Sequence, residues 1–518
     1  LRSLTEEVVE RKLAQGQGHT LTDEDRAFLR SVQQQWEAFA GITGDDAESR
    51  SIRAEGYARV GLMRHRLGDL KDAEVAHREA LAIRQQLAAD FPTRPDFRQE
   101  LATSHNKLGV LLCDTGRLAE AEAAYREALA LRQQLAADFP TRPDFRQELA
   151  TSHNNLGALL RDTARLQEAE VAYREALALF KQLVLDFPTR PDFRRDLAAS
   201  HLNLGNLLYQ TGRVMEAEAD WREAVAVQKQ LVADFPTRPD FRQELAISHN
   251  NLGILLCQTG RIQEAEAAWC EALALQKQLA AEFPTRPDFR RELAISYLNL
   301  GNLLSATGRL QETEAAWRDA LVLFKQLAAD FPDQPDMRNG LAATLVNLAI
   351  LGIGQRDFVQ AKDYLDLAQP HHQAALKANP RHPTYRQSYR SNLWALAQAQ
   401  AGLLDRAAAV KTAEQIRDLG WNPEEDAYDA ACALALCIPI VEKHEKLDAQ
   451  ERQAAVQFYG DEAMKLLGDA VSKGFKDAGR IRAESDLAPL RNRDDFQKLL
   501  ADLEAQPEKP PAQDGKSK

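Results

Sequence analysis

The sequence predicts an all-α protein, a right-handed superhelical solenoid of antiparallel helix pairs with a 48-residue repeat. Three observations carry this. Asp-Phe-Pro recurs at Asp90, Asp138, Asp186, Asp234 and Asp330, with Glu-Phe-Pro at Glu282, and every step is 48 residues. Hydrophobic residues make up 44% of the chain but aromatics only 7%, the profile of an alanine- and leucine-rich helical protein rather than a sheet. Each copy holds two apolar stripes of helical period parted by a turn. One stretch, RQQLAADFPTRPDFRQELATSHN, occurs verbatim at 84–106 and 132–154, so the unit itself was copied.

The elements of one copy follow in order. Pro95-Asp96 opens a helix, where proline's fixed φ and an acidic first turn both help. Leu101, His105, Leu108 and Leu112 continue it at helical spacing, and Thr115-Gly116-Arg117 breaks it, glycine supplying the left-handed turn conformation. Leu118, Ala121, Tyr125, Ala128, Leu131 and Leu135 form the stripe of a second helix. It ends at Phe139-Pro140, and Pro143 starts the next copy. Neither helix buries its stripe alone; stacked neighbours make a continuous core. Gly109 and Ala128 allow close approach within the pair, and Tyr125 fills the space against the first helix.

The pattern Gly109, Gly116, Ala121, Tyr125, Ala128 resembles the tetratricopeptide repeat. It recurs as Gly61, Gly68, Ala73, His77, Ala80; as Gly157, Ala164, Ala169, Tyr173, Ala176; and as Gly205, Gly212, Ala217, Trp221, Ala224. Two more copies carry Gly253, Gly260, Ala265, Trp269, Ala272 and Gly301, Gly308, Thr313, Trp317, Ala320. The unit is longer than the usual repeat of about 34 residues, which extended helices explain. This gives 46–335 as six long-helix units and 336–420 as two degenerate ones, the latter keyed by Ala349, Ala361, Ala368, Ala395, Gly402 and Ala407. Residues 1–45 are expected to form an N-terminal helical cap, with Thr22 capping a helix before Asp25. Residues 421–505 are expected to form a C-terminal helical capping region, with Tyr428–Cys437 one helix and Glu451–Lys473 another, and 506–518 a disordered tail. The DFPTRPDFR linker and the ending around Asp486-Leu487, Pro489-Leu490-Arg491 and Phe496 resemble the C-terminal repeat regions of bacterial eukaryotic-like serine/threonine kinases. That resemblance implies a companion region of a kinase. No kinase residue can be carried onto this chain.

Composition narrows the function. With 65 basic and 77 acidic residues the net charge is −12, which disfavours nucleic acid and anionic lipid as partners. The apolar runs Leu341–Gly354 and Ala431–Val441 fall short of the roughly 20 residues a bilayer needs, so no membrane insertion is expected from this segment. Cys113, Cys257, Cys270, Cys432 and Cys437 are odd in number and contain no CxxC, and are expected to be small buried hydrophobes in a reducing, cytoplasmic compartment. The chain opens on Leu1 with no signal-peptide pattern before it. We expect a piece of a longer protein or a processed product, with tethering to a membrane through a missing N-terminal part as the alternative to a free cytoplasmic chain.

No catalytic motif presents itself, and we expect neither enzyme activity nor a cofactor or metal. His65-Arg66 with Asp69-Leu70-Lys71 looks superficially like a kinase loop, but it falls in an inter-helix turn without the downstream asparagine. His105, His153, His201 and His249 stand four residues before each repeat glycine, a rotation of about 400° that puts them on the packed face. Core packing is the expected role, a buried pH-sensing column the alternative. His371, His372 and His382 are expected to decorate a proline-rich turn, and His444-Glu445 to form a solvated face.

Asparagine carries the functional signal. Asn155, Asn203, Asn251, Asn299 and Asn347 recur two residues before the repeat glycine, about 200° around the helix and so away from the partner helix. In a tetratricopeptide array that direction is the concave groove. An amide both donates and accepts, so a ladder of them can grip a peptide backbone whatever its side chains; a similar ladder lines O-linked N-acetylglucosamine transferases. The competing reading is that asparagine merely belongs to this repeat's consensus. Asn106, Asn154, Asn250, Asn206, Asn302, Arg161 and Tyr209 are placed in the same groove, and Lys107 and Arg59 interrupt the ladder at its N-terminal end. A protein-interaction scaffold holding an extended peptide or partner helix is the expected function. Its rivals are the substrate-selecting arm of another enzyme and a passive spacer or oligomerisation scaffold.

Overall fold

A computed structural model describes residues 23–505. These residues are helical, with no strand among them, and divide into two units, one up to Phe283 and one from Pro284 onward. The Thr22 cap and the 506–518 tail lie outside the described residues.

The first unit holds helix Asp23–Ala40 and five hairpins: Ala47–Leu67 with Leu70–Asp90, Pro95–Asp114 with Leu118–Asp138, Pro143–Asp162 with Leu166–Asp186, Pro191–Gln210 with Val214–Asp234, and Pro239–Gln258 with Ile262–Glu282. We call the first member of each pair the lead helix and the second the return helix. From the second hairpin on, each lead helix begins with proline at its first position and aspartate at its second, where no amide donor is missed and the helix dipole favours an acid. Its end is made by Thr-Gly-Arg, with Ala164 in the glycine's place in the third hairpin. The Thr115 hydroxyl donates to the carbonyls of Leu111 and Leu112, satisfying acceptors the helix leaves open. Gly116 turns the chain at φ 75°, and Arg117 reaches Glu74 of the preceding return helix at 2.8 Å while also bonding Glu120 of its own. Arg165, Arg213 and Arg261 repeat that bridge to Glu122, Glu170 and Glu218.

Two further contacts recur, one closing each hairpin and one setting the linker to the next. Arg98 near the start of the lead helix binds Asp138 of Asp-Phe-Pro at the end of the return helix, at 2.7 Å; Arg50–Asp90, Arg146–Asp186 and Arg194–Asp234 do the same. Glu282 replaces the aspartate in the fifth hairpin and takes Arg242 with both oxygens, at 2.8 and 2.7 Å. In the linker Phe139 meets Phe145 edge-on, ring centres 5.7 Å apart, and Arg142 covers the Phe145 ring at 4.5 Å.

Packing inside each pair turns on the repeat glycine. A Cβ on Gly109 would stand 2.6 Å from the Tyr125 ring, on Gly205 2.5 Å from Trp221, and on Gly253 2.7 Å from Trp269. The ring lies directly on bare backbone. Helix Asp23–Ala40 covers the first hairpin with Leu29, Val32 and Trp36, packed on Val60, Met63 and Ala76.

The second unit holds Pro287–Ala306 with Leu310–Asp330, Pro335–Gly354 with Phe358–Ala378, and Pro383–Gly402 with Arg406–Arg417. Helices Pro423–Ala435, Ile438–Glu442, Ala449–Lys473, Ala478–Ala483 and Asp494–Glu504 follow. The expected helix Tyr428–Cys437 is broken instead after Ala435, where the chain turns so that Pro439 can enter the next helix near its start. Leu487, Leu490 and Phe496 of the C-terminal ending are wholly buried beneath Ala449–Lys473, with Tyr428, Tyr459 and Ile481. The apolar run ending at Gly354 extends upstream to a 20-residue helix, Pro335–Gly354, long and apolar enough to cross a membrane. Its Leu341, Leu345, Leu348 and Leu351 are buried among Leu365, Ala361 and Leu396, as in a core helix.

Several expectations need correction. Only Cys432 and Cys437 are buried; Cys113 and Cys257 are half-buried and Cys270 is exposed, because position 270 lies on the outward side of its return helix. His371 and His372 are not in a turn: helix Phe358–Ala378 runs straight through Pro370, and His372 is fully buried with neither ring nitrogen bonded to protein. His382 precedes Pro383 and stacks on Tyr385 at 3.9 Å. His444 is buried rather than solvated, its Nε2 2.9 Å from the Gly402 carbonyl oxygen.

Three tests follow from this packing. Ala164 occupies the turn position held by Gly116 and Gly212, at φ 60°. Ala164→Gly is expected to raise unfolding free energy by about 1 kcal/mol, since a left-handed conformation costs a residue with a Cβ that much; unchanged urea midpoint and slope would refute it. Gly205→Ala drives a methyl into Trp221 and is expected to cost roughly 1–3 kcal/mol in the same assay. Burial pushes His372 down to about 4, with the neighbouring His371 adding to it. The folded chain therefore resists a proton that the unfolded chain accepts near pH 6.5, and stability falls as pH drops from about 6.5 toward 4. His372→Leu is expected to lessen the loss of urea midpoint between pH 7 and pH 5 relative to the parent.

Candidate functional site

The asparagine positions lie on the lead helices, and the structure sorts them by what their amides already hold. Asn155 donates to Asn106 Oδ1 at 2.9 Å, one repeat back, and Asn154 donates to Ser200 Oγ at 2.8 Å, one repeat forward. Each of these three amides commits one group to joining neighbouring hairpins, and the Asn154 oxygen is buried without a hydrogen-bond partner among the described residues. Asn250 is buried. Asn203, Asn206 and Asn251 are half-exposed and have no side-chain hydrogen bond among the described residues. In the second unit Asn347 reaches Asn302 at 3.4 Å, while Asn299 is half-exposed. The free amides of the first unit thus fall on the fourth and fifth hairpins.

Those hairpins also carry a cavity of about 460 Å³. Its walls come from three successive lead helices, through Arg161, then Asn206 and Tyr209, then Asn251, Ile254 and Leu255. Trp221 of the intervening return helix lies at its base, nine-tenths buried, with the Tyr209 ring 5.7 Å away. The Tyr209 hydroxyl is held by Gln258, and Arg161 Nε and Nη2 both bind Asp162 Oδ1, at 3.0 and 2.9 Å. Four positions picked from sequence therefore meet in one concavity: Arg161, Asn206, Tyr209 and Asn251.

Lys107 lies elsewhere. With Arg59 it lines a smaller cavity of about 230 Å³ between the first two hairpins, beside Glu55, Arg84 and His77. Arg84 is buried there and bonds Glu55 at 2.6 Å and Ser104 at 2.9 Å. Burial and the nearby Lys107, His65 and Arg84 charges push His77 down to about 4, keeping it neutral. Sequence reasoning passed over Trp221 because its position recurs as a packing aromatic, and over Arg84 and Ile254 because their positions change from copy to copy; for Ile254 the available signal was an isoleucine where the adjacent copies carry asparagine.

The histidine column divides. His201 Nδ1 is 2.7 Å from Asp220 Oδ1. Neither ring nitrogen of His249 has a hydrogen-bond partner among the described residues, and burial with the Lys229 charge pushes it down to about 4. Among the described residues no cluster of three or more His, Cys, Asp or Glu side chains is arranged to hold a metal.

Residues 100–182 match a family model described as the tetratricopeptide repeat, and 197–237, 245–283 and 293–336 match a second model of the same description. These stretches are tetratricopeptide repeats. No curated protein matches the sequence. Among solved structures, BtubC (BKLC) from P. vanneervenii is 24% identical over 51% of this chain and 93% of its own, with a TM-score of 0.39. The apo form of RapI is 10% identical over 81% and 99%, with a TM-score of 0.48. PilF of Pseudomonas aeruginosa is 18% identical over 53% and 93%, with a TM-score of 0.32.

Proposed function

We propose that this chain is a non-catalytic protein-interaction scaffold that holds an extended peptide, or one face of a partner helix, across its lead helices. The observation that carries the reading is the pair of unspent amides at Asn203 and Asn251, one repeat apart and half-exposed, where the flanking Asn155 amide is already spent on Asn106. A peptide backbone offers the alternating donors and acceptors such amides need. The setting we propose is the interaction region of a larger signalling protein such as a serine/threonine kinase, in the cytoplasm. The DFPTRPDFR linker and the C-terminal ending support that setting. A substrate-selecting arm of another enzyme would use the same amides, and a passive spacer would use none.

Selection of peptides from a random displayed library against the whole chain tests the reading. Selected peptides are expected to lose about tenfold or more in affinity to Asn203→Ala/Asn251→Ala, two hydrogen bonds of about 0.5–1.5 kcal/mol each. The thermal midpoint should stay where it is, since neither amide holds the fold. Peptides that bind the double variant as tightly as the parent, or a library that yields no binder, would leave the spacer reading standing.

A further inference from the structure

We propose that the cavity walled by Arg161, Tyr209 and Ile254 is a specificity subsite, taking one bulky apolar side chain of a peptide that carries a carboxylate side chain next to it. This rests on the groove reading and adds to it the chemistry of the ligand. The amide ladder alone reads backbone and discriminates little; the cavity supplies what the ladder lacks.

Size sets the first condition. At about 460 Å³ and open to solvent, the cavity is within the range of small-ligand pockets and large enough for a phenylalanine or leucine side chain with part of its backbone. Its lining sets the second. Tyr209 and Trp221 present rings 5.7 Å apart and tilted by 35°, and Ile254 stands across from them with 40% of its surface in water. An apolar side chain placed between them removes that surface from water, which polar ligands cannot do. Charge sets the third. Arg161 is the one ionised side chain on the walls, and its Nε and Nη2 share a single oxygen of Asp162, leaving Nη1 available. A planar guanidinium on the rim of an apolar cavity favours a carboxylate there. Asn206 and Asn251 stand at the same walls with free amides, placed for the backbone between the two side chains.

The combination does not follow from the repeat. One repeat earlier, 48 residues back, Cys113, Ala158, Arg161 and Asn206 stand where Arg161, Asn206, Tyr209 and Ile254 stand here. That interval lacks counterparts of Tyr209 and Ile254, although Tyr173 and Leu207 stand where Trp221 and Leu255 do.

The probes are fluorescein-labelled Gly-Ser-Asp-Phe-Asp-Ser-Gly and its Phe→Ala and Asp→Asn counterparts, read by anisotropy on the whole chain, beside the library-selected peptides. The Phe peptide is expected to bind about tenfold or more tighter than the Ala peptide, and the Asp peptide tighter than the Asn peptide. Ile254→Asp and Tyr209→Ala should abolish the preference for Phe; Arg161→Gln should abolish the preference for Asp and keep that for Phe. Ile254 is exposed, so its variant tests the cavity without touching the core even if Tyr209→Ala disturbs Trp221. Equal binding of the Phe and Ala peptides, or a Phe preference that survives Ile254→Asp, overturns the subsite while selected peptides that still need Asn203 and Asn251 keep the groove. Absence of any binder, selected or designed, overturns both.

Discussion

An aromatic ring resting on a residue with no side chain is the contact from which the rest of each hairpin up to Asp330 follows. Tyr125 on Gly109, Tyr173 on Gly157, Trp221 on Gly205 and Trp269 on Gly253 fix how near the return helix comes to the lead helix. A Cβ at the glycine would overlap the ring, so the approach is available only while both partners are kept. Once that distance is set, the small residues Ala121 and Ala128 can be fully buried beside it. His77 over Gly61 makes the same contact with a smaller ring, and it stays neutral because it is enclosed.

Charge then does at the edges what the glycine does in the middle. The turn arginines Arg117, Arg165, Arg213 and Arg261 each hold a glutamate of the previous return helix and one of their own. Each pair is more than a third exposed on its arginine side, so a single bridge screened by solvent adds little to stability. Their value lies in register, because the same bridge recurs at the four hairpin interfaces of the first unit and a shifted stack would break all of them together. Arg98–Asp138 and its copies do this within a hairpin, and the exchange to Glu282 is absorbed because Arg242 rotates its fork onto both oxygens.

Much of this was legible in the sequence. The 48-residue step, the proline starts, the Thr-Gly-Arg turns and the glycine–aromatic pairs are local signals whose physics needs no knowledge of neighbours. What was not legible depends on contacts between copies. Nothing in SHNNLG says that Asn155 is spent on Asn106, or Asn154 on Ser200, while Asn203 and Asn251 stay free. Proline read as a turn signal misplaced His372, since Pro370 sits inside a helix held on both sides by packing. The column Arg84, Arg132, Phe180, Gln228 shows the same limit: Arg84 and Arg132 bind Ser104 and Ser152, Phe180 simply packs, and the Gln228 oxygen is buried without a partner. One position in one fold tolerates a cation, a ring and an amide because each stack finds its own solution.

That tolerance bears on where specificity can reside. In an array built by copying, the side chains that recur are those that stacking requires, and changing them costs every interface that uses them. Lead-helix positions facing solvent are under no such requirement, so there the copies are free to differ. Arg161, Tyr209 and Ile254 are departures of this kind, each at a site where the neighbouring copy carries something else. The repeated residues hold the helices at a fixed spacing, and the unrepeated ones gain a defined geometry from it without contributing to it. A scaffold of this design can change its ligand by substituting a few exposed residues while the glycine–aromatic contacts and turn arginines stay fixed.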